Sequence, residues 1–142
     1  MSIDEKQKAY EIEISINPED IDQLGHVNNI VYVQWIQDAA VAHWYAVASK
    51  KEREKLLWVV IRHEIDYKRP AVLQDTIIAH TWVGAASRRA FERHTEIIRT
   101  SDMKLLAKAR TLWCPIDAKI RKPVRVSDDV YQKFSTHKIK HF

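Results

Sequence analysis

A chain of 142 residues, 46% hydrophobic and 30% charged, is long enough to bury a core and too short for two ordinary domains, so residues 1–142 are expected to form a single domain. That balance excludes a disordered chain, and no apolar run approaches the roughly twenty residues of a membrane-spanning helix. The formal net charge of +4 is spread along the chain, which speaks against nucleic acid as a partner and suits either solvated lysines or a polyanionic small ligand. Met1 to Lys6 is followed by no apolar stretch, so no secretory signal is expected. The single cysteine, Cys114, fits a reducing compartment, with the cytoplasm as the expected location.

Tyr10 to Ile16 alternates strictly, with isoleucine at 12, 14 and 16, and predicts a half-buried strand ended by Pro18. A loop follows through Asp20, Asp22 and Gly25. From Asn28 or Asn29 the period changes. Ile30, Val33, Trp35 or Ile36, Ala40, Val41, Trp44 and Val47 recur at helical spacing up to about Ser49, and this stripe predicts a helix roughly 30 Å long. Asn28 suits its N-cap, with the side-chain oxygen accepting from a first-turn amide. Strands are expected at Leu57 to Tyr67, at Thr76 to Val83, at Ala90 to Arg99 and at Leu105 to Cys114, the first stopped by Pro70 and the last by Pro115. Phe91, Arg93, Thr95 and Ile97 share one side of the third of these. Ser101-Asp102 makes the turn before the last strand, and Ser127 caps a short helix from Asp128 to Phe134. One helix that is apolar over a wide arc needs a surface to bury against, and a single curved sheet supplies it. The fold class is α+β: a long central helix wrapped by an antiparallel sheet of about five strands.

The chain has only two glycines, Gly25 and Gly84, and one of them stands beside Asp22 and His26 just before the apolar helix. Glycine permits positive φ or close approach to a ligand. The helix start offers free N–H groups and the positive end of a dipole, where developing negative charge on an oxygen is stabilised. Asp22 is then placed as nucleophile or base and His26 as proton carrier or orienting group. Asp and Gly before a helix are equally ordinary turn-and-cap chemistry, and the residue types alone leave both readings open.

Asp22-x-x-Gly25-His26-x-Asn28-Asn29-x-x-Tyr32 resembles the signature of the 4-hydroxybenzoyl-CoA thioesterase-like family of the hotdog superfamily. Val59 to Pro70, ending Tyr67-Lys68-Arg69-Pro70 and followed by Asp75, is similar to that family's strand after the helix. Ala109 to Asp117 with Lys122-Pro123 is similar to its final strand and exit. The resemblance implies a hotdog fold and hydrolysis of an acyl-CoA or acyl-carrier-protein thioester without metal or cofactor. It further implies a homodimer with active sites between the subunits, extending to a dimer of dimers. Asp22 would attack the carbonyl or activate water, the backbone N–H of Asn29 would polarise the carbonyl, and Gly25, His26, Asn28 and Tyr32 would line the loop. Leu24 stands where plant-type acyl-carrier-protein thioesterases carry asparagine, so covalent and general-base routes are both open. Hotdog hydratases and dehydratases use an Asp-x-Asn-Pro-x-His type loop that this chain lacks; a non-catalytic acyl-thioester-binding module is the other alternative.

On the strand after the helix, strict alternation puts Val59, Ile61, Ile65 and Tyr67 on the face of His63, toward the helix. His63 is there either a hydrogen-bonded core residue or a substrate-lining one. Glu64 shares its face with Arg62, Asp66 and Lys68, a solvated or subunit-contacting surface. Arg88 and Arg89, at a strand junction, are either solvated or a fork for the phosphates of coenzyme A. Trp35, near the helix start, is the tryptophan expected to bound an acyl pocket. The spacing of His26, His43, His63, His80, His94, His137 and His141 matches no common metal pattern.

Overall fold

The computed structural model describes residues 8–136. The elements run β1 (Tyr10–Ile14), a 3-10 turn (Pro18–Asp20), α1 (Asn29–Val47), α2 (Lys50–Lys55), β2 (Leu56–Tyr67), β3 (Ile77–Ser87), β4 (Ala90–Arg99), β5 (Lys104–Asp117) and α3 (Asp128–Phe134). The strands form one antiparallel sheet in the order β1-β3-β4-β5-β2. The expected α+β arrangement of one long helix against a five-stranded sheet is therefore present.

Small residues set the distance between helix and sheet. Ala39 on α1, Ala79 on β3 and Ala107 on β5 are fully buried with Ile36, Ile97 and Leu106, and alanine at facing positions lets the layers approach while the larger chains interlock. A second cluster gathers Val83, Phe91, Val126, Val130, Tyr131 and Phe134 where α3 covers the opposite end of the sheet. Ser127 caps α3 by accepting from the Val130 N–H, as expected.

Several expectations are corrected. The apolar stripe of α1 coincides only in part with its buried face: Trp35, Ile36 and Ala40 are buried as expected, together with Tyr32, Ala39 and His43, whereas Ile30, Val41 and Val47 are exposed. The helix is apolar nearly all round, so periodicity could not select a face. β1 ends two residues early, at Ile14. The short helix α2 was not anticipated, because Lys50–Lys55 is wholly charged; its signal is the capping box in which Ser49 and Glu52 bond each other's backbone N–H. β5 does not end at Pro115 but continues to Asp117. β4 pairs with β5 only as far as Phe91↔Trp113; beyond it Pro115, paired on its other side with Trp58, faces the return segment whose Val124 N–H donates to the Pro115 carbonyl, so its missing N–H interrupts no strand ladder with β4.

The alternation along β2 is also broken. A register shift falls between Val60 and Arg62, which makes Ile61 the extra residue of a bulge and reverses which parity faces inward. Leu56, Trp58 and Val60 turn toward the helix before it, His63 and Ile65 after it. Val59 and Ile61 are exposed, not on the face of His63.

Several polar side chains are buried in the packed region, and one of them is a histidine. His43 on α1 is 1% exposed, stacks on Tyr10 and accepts at Nδ1 from Arg93 Nη1 at 2.9 Å. Burial, reinforced by the Arg93 charge, pushes its pKa down to about 3. The folded state thus holds the neutral imidazole while the unfolded chain protonates near pH 6.5. Stability from this group is complete above that value and is lost as pH falls toward the folded pKa, by about 2 kcal/mol at pH 5. Denaturant titrations at pH 7.5 and pH 5 should show a loss that is smaller by roughly that amount in His43→Gln; the same loss in both proteins would refute the assignment.

Candidate active site

The loop between β1 and α1 is a tight hairpin. The isolated bridge Ile21↔Val27 closes it, the Asp22 N–H donates to the His26 carbonyl at 2.7 Å and the Gly25 N–H to the Asp22 carbonyl at 3.1 Å. Gly25 adopts φ 79°, the left-handed residue that ends a turn of this length. Asp22 Oδ1 accepts from the N–H groups of Leu24 (2.9 Å) and His26 (3.2 Å). The carboxylate is thereby held rigidly, and among the described residues nothing donates to Oδ2. Asp22 and Gly25 thus build the turn, and the turn leaves Asp22 Oδ2 without a donor among the described residues.

The loop is tied to the fold by Val27, whose N–H donates to the Ala71 carbonyl, and by Asn28, whose N–H donates to the Asp20 carbonyl. Asn28 then caps α1. Its Oδ1 accepts from the Ile30 N–H at 3.3 Å, and its carbonyl from the Val31 N–H at 2.9 Å. Those bonds use two of the first amides. The N–H of Asn29, first residue of the helix, has no acceptor among the described residues, and it sits at the positive end of a 19-residue dipole. Tyr67 donates its hydroxyl to the Asn29 carbonyl at 3.0 Å, which pins the helix start to the end of β2.

Asp22, His26, Asn28, Asn29 and Tyr32 share one open cleft with Tyr67, Lys68 and Arg69. Burial raises the Tyr32 phenol above its ordinary pKa, and its ring meets Tyr67 edge-on at 5.4 Å. Leu24 lines the cleft at 79% exposure, and Ile30, at 72%, lines a neighbouring groove. Sequence reasoning did not single out Tyr67, Lys68 and Arg69 as site residues; the signal was the Tyr-x-x-Pro end of β2, which brings them to the cleft.

The remaining candidates lie elsewhere. Trp35 is core, tilted against Tyr32 at 4.9 Å, and lines a separate groove with Ile12 and Asn17. His63 is half-buried and bonded to Thr111 Oγ1 at 3.0 Å and to Gln37 at 3.5 Å, with its pKa lowered by burial. Arg88 and Arg89 sit at the β3–β4 turn, Arg88 paired with Asp128 and Arg89 exposed. That turn is at the opposite end of the sheet from Asp22, since Ser87 pairs beside Phe91 and Trp113 while the cleft adjoins Tyr67 and Leu106. Of the seven histidines, His137 and His141 fall outside the described residues.

A family model described as the thioesterase-like superfamily matches residues 16–134. The chain belongs to that family. Among solved structures, a DHNA-CoA thioesterase of Staphylococcus aureus superposes with TM-score 0.77 at 19% identity, over 88% of this chain and 87% of that one. A 1,4-dihydroxy-2-naphthoyl-CoA thioesterase of Synechocystis gives 0.74 at 19% identity, over 88% and 94%. These likenesses establish the hotdog fold. A chloroplastic acyl-acyl-carrier-protein hydrolase of Cuphea viscosissima is 25% identical over 85 residues, 60% of this chain but only 21% of that protein. The chain thus matches about a fifth of the length of that relative.

The loop geometry predicts how Gly25 tolerates change. A Cβ there would meet nothing within 4 Å, so the cost of Gly25→Ala is purely conformational, about 1 kcal/mol. Gly25→Asn should cost less, because asparagine tolerates the left-handed region. Equal losses for the two in a denaturant series would contradict a positive φ at this position.

Proposed function

We propose that this protein hydrolyses an acyl thioester, carried on coenzyme A or an acyl carrier protein, to a free acid and a thiol. The reading is carried by one observation: Asp22, a carboxylate held by two backbone N–H groups, shares a cleft with the N–H of Asn29 at a helix N-terminus, and among the described residues neither its Oδ2 nor that N–H has a partner. The N–H and dipole would stabilise the charge that develops on the thioester oxygen, while Asp22 attacks the carbonyl carbon or takes a proton from attacking water. His26, whose backbone N–H helps hold Asp22, would carry or orient the proton, with Gly25, Asn28 and Tyr32 shaping the loop. Family membership and the names of the relatives support the reaction class, and the single cysteine supports a cytoplasmic setting.

A homodimer is supported by β2. It is an edge strand bearing exposed Leu57, Val59 and Ile61, with exposed Val41 and Tyr45 on the adjacent helix, and an apolar open edge of this kind invites pairing. Two copies joined antiparallel through β2 would lay the Leu56 end of each strand along the Tyr67 end of the other. Arg88 and Arg89, remote from the cleft of their own chain, would then approach the partner's cleft and could hold coenzyme A phosphates there. Trp35 and His63 would bound the acyl group only from beneath the cleft.

A panel of short, long and aromatic acyl-CoAs, followed by free-thiol release, tests the reading. Asp22→Asn should lower kcat/KM by about a hundredfold or more with the far-UV spectrum unchanged. Undiminished turnover in that variant would remove Asp22 from the mechanism, and no release from any member of the panel would leave an acyl-thioester-binding module.

A further inference from the structure

At the end of the sheet away from Asp22, α1, β2, β4, β5 and α3 form a half-open cavity of about 190 Å³ walled by Trp44, Trp58, Phe91, Trp113 and Phe134, with exposed Val41, Tyr45 and Leu57 at its mouth. An apolar cavity of about 150 Å³ is enough to take up benzene, so this one has room for a single ring with a small substituent. Its composition is otherwise unexpected. Arg93, 6% exposed, lines it and donates from Nη1 to His43 Nδ1 at 2.9 Å and to Thr81 Oγ1 at 3.1 Å. Both partners are neutral. No carboxylate is paired with Arg93 among the described residues, and no Asp or Glu lines the cavity.

The usual substitute for a counter-charge, the C-terminal carbonyls of a helix, is already taken: Arg53 donates to the carbonyls of Tyr45 and Ala48. Arg53 also lines the cavity, so it adds positive charge to the site. On neighbouring strands, the indole N–H groups of Trp58 and Trp113 are buried with no acceptor among the described residues. An uncompensated buried cation and orphaned buried donors are each uncommon. Here the three residues that carry them line one cavity, and a pair of anionic acceptor oxygens beside Arg93 is the complement that would answer the unpaired charge and reach toward the indoles. Phosphate would demand more donors than one guanidinium edge and two indoles provide, and the aromatic walls call for an apolar body.

We propose that this cavity is a binding site for a compact organic carboxylate, a single ring or a chain of similar volume, whose carboxylate faces Arg93 and the indole N–H groups of Trp58 and Trp113. Trp44 follows Asn29 by fifteen residues of helix, roughly 22 Å at the rise of an α-helix, so within one chain the site is distinct from the Asp22 cleft. The carboxylate can come from a free acid or from the far end of an acyl group.

Calorimetric titration of the wild-type protein with benzoate and hexanoate, against benzamide and hexanamide, tests the site without any turnover. The acids should bind at least about tenfold more tightly than their amides. Arg93→Met should erase that preference and Arg93→Lys retain part of it. Should Arg93→Met fail to fold, Trp113→Phe keeps the ring and removes one donor, and it should weaken both acids. No saturable binding of either acid, equal affinity for acid and amide, or unchanged affinity in both Arg93→Met and Trp113→Phe would overturn the proposal. A second arm rests on the hydrolysis reading and separates the sources. Faster thiol release from an ω-carboxylated acyl-CoA than from its parent, lost in Arg93→Met, marks the carboxylate as the far end of the substrate; equal rates, with the free acids still binding, mark it as a free acid. Absence of release from both would count against hydrolysis and leave the calorimetric result standing.

Discussion

Nineteen residues of helix with apolar side chains on nearly every face must be covered on more than one side, and the rest of the molecule is arranged around that requirement. The sheet covers one side through its run of alanines, and α3 closes the far end through Val130, Tyr131 and Phe134. What it leaves bare, Ile30, Val41, Tyr45 and Val47, is too apolar to be an ordinary solvated face. The same helix supplies the N-terminus that makes Asn29 an available donor. The demand for burial and the electrostatics of the candidate site therefore belong to one element, and neither could be altered without the other.

The bulge at Ile61 serves both ends of this arrangement. A strand in strict alternation that turned Trp58 toward the helix would turn His63, Ile65 and Tyr67 away from it. One extra residue reverses the parity in mid-strand. Trp58 then lines the arginine cavity at one end of β2, and Tyr67 bonds the first carbonyl of α1 at the other. A single irregularity lets one edge strand furnish a wall to each site.

This is also where the sequence was hardest to read. Apart from α2, the order of elements was legible, because the periods of β1, β4 and α1 and the cap at Ser127 are local signals. The Asp22 loop was legible in composition, and its resemblance to known relatives narrowed what local chemistry left open. The inward face of α1 was not, since a helix apolar all round has no contrast to read, and the parity of β2 was not, since a bulge leaves no mark in an unbroken apolar run such as Leu57 to Ile61. Continuation of β5 through Pro115 depended on where β4 stops, a non-local fact. Arg93 shows the limit most clearly. Its alternation with Phe91, Thr95 and Ile97 placed the four on one side of β4, yet only the structure shows that this side is buried and that, among the described residues, no acid accompanies Arg93 there.

The two ends acquire a relation if copies pair through β2 as proposed. Antiparallel pairing about a two-fold axis places the Leu56–Trp58 end of one strand against the Tyr67 end of the other, so the arginine cavity of each chain would lie toward the Asp22 cleft of its partner. The separation of roughly 22 Å along one helix would then cease to measure the distance between carboxylate site and thioester site. A positively charged, aromatic-walled cavity facing a partner's helix N-terminus would select acyl groups by what they carry at the far end as well as by length. In that assembly the buried charge of Arg93, a cost to the isolated chain because a cation in an apolar interior has lost its hydration, would be offset only when the occupant supplies the missing negative charge.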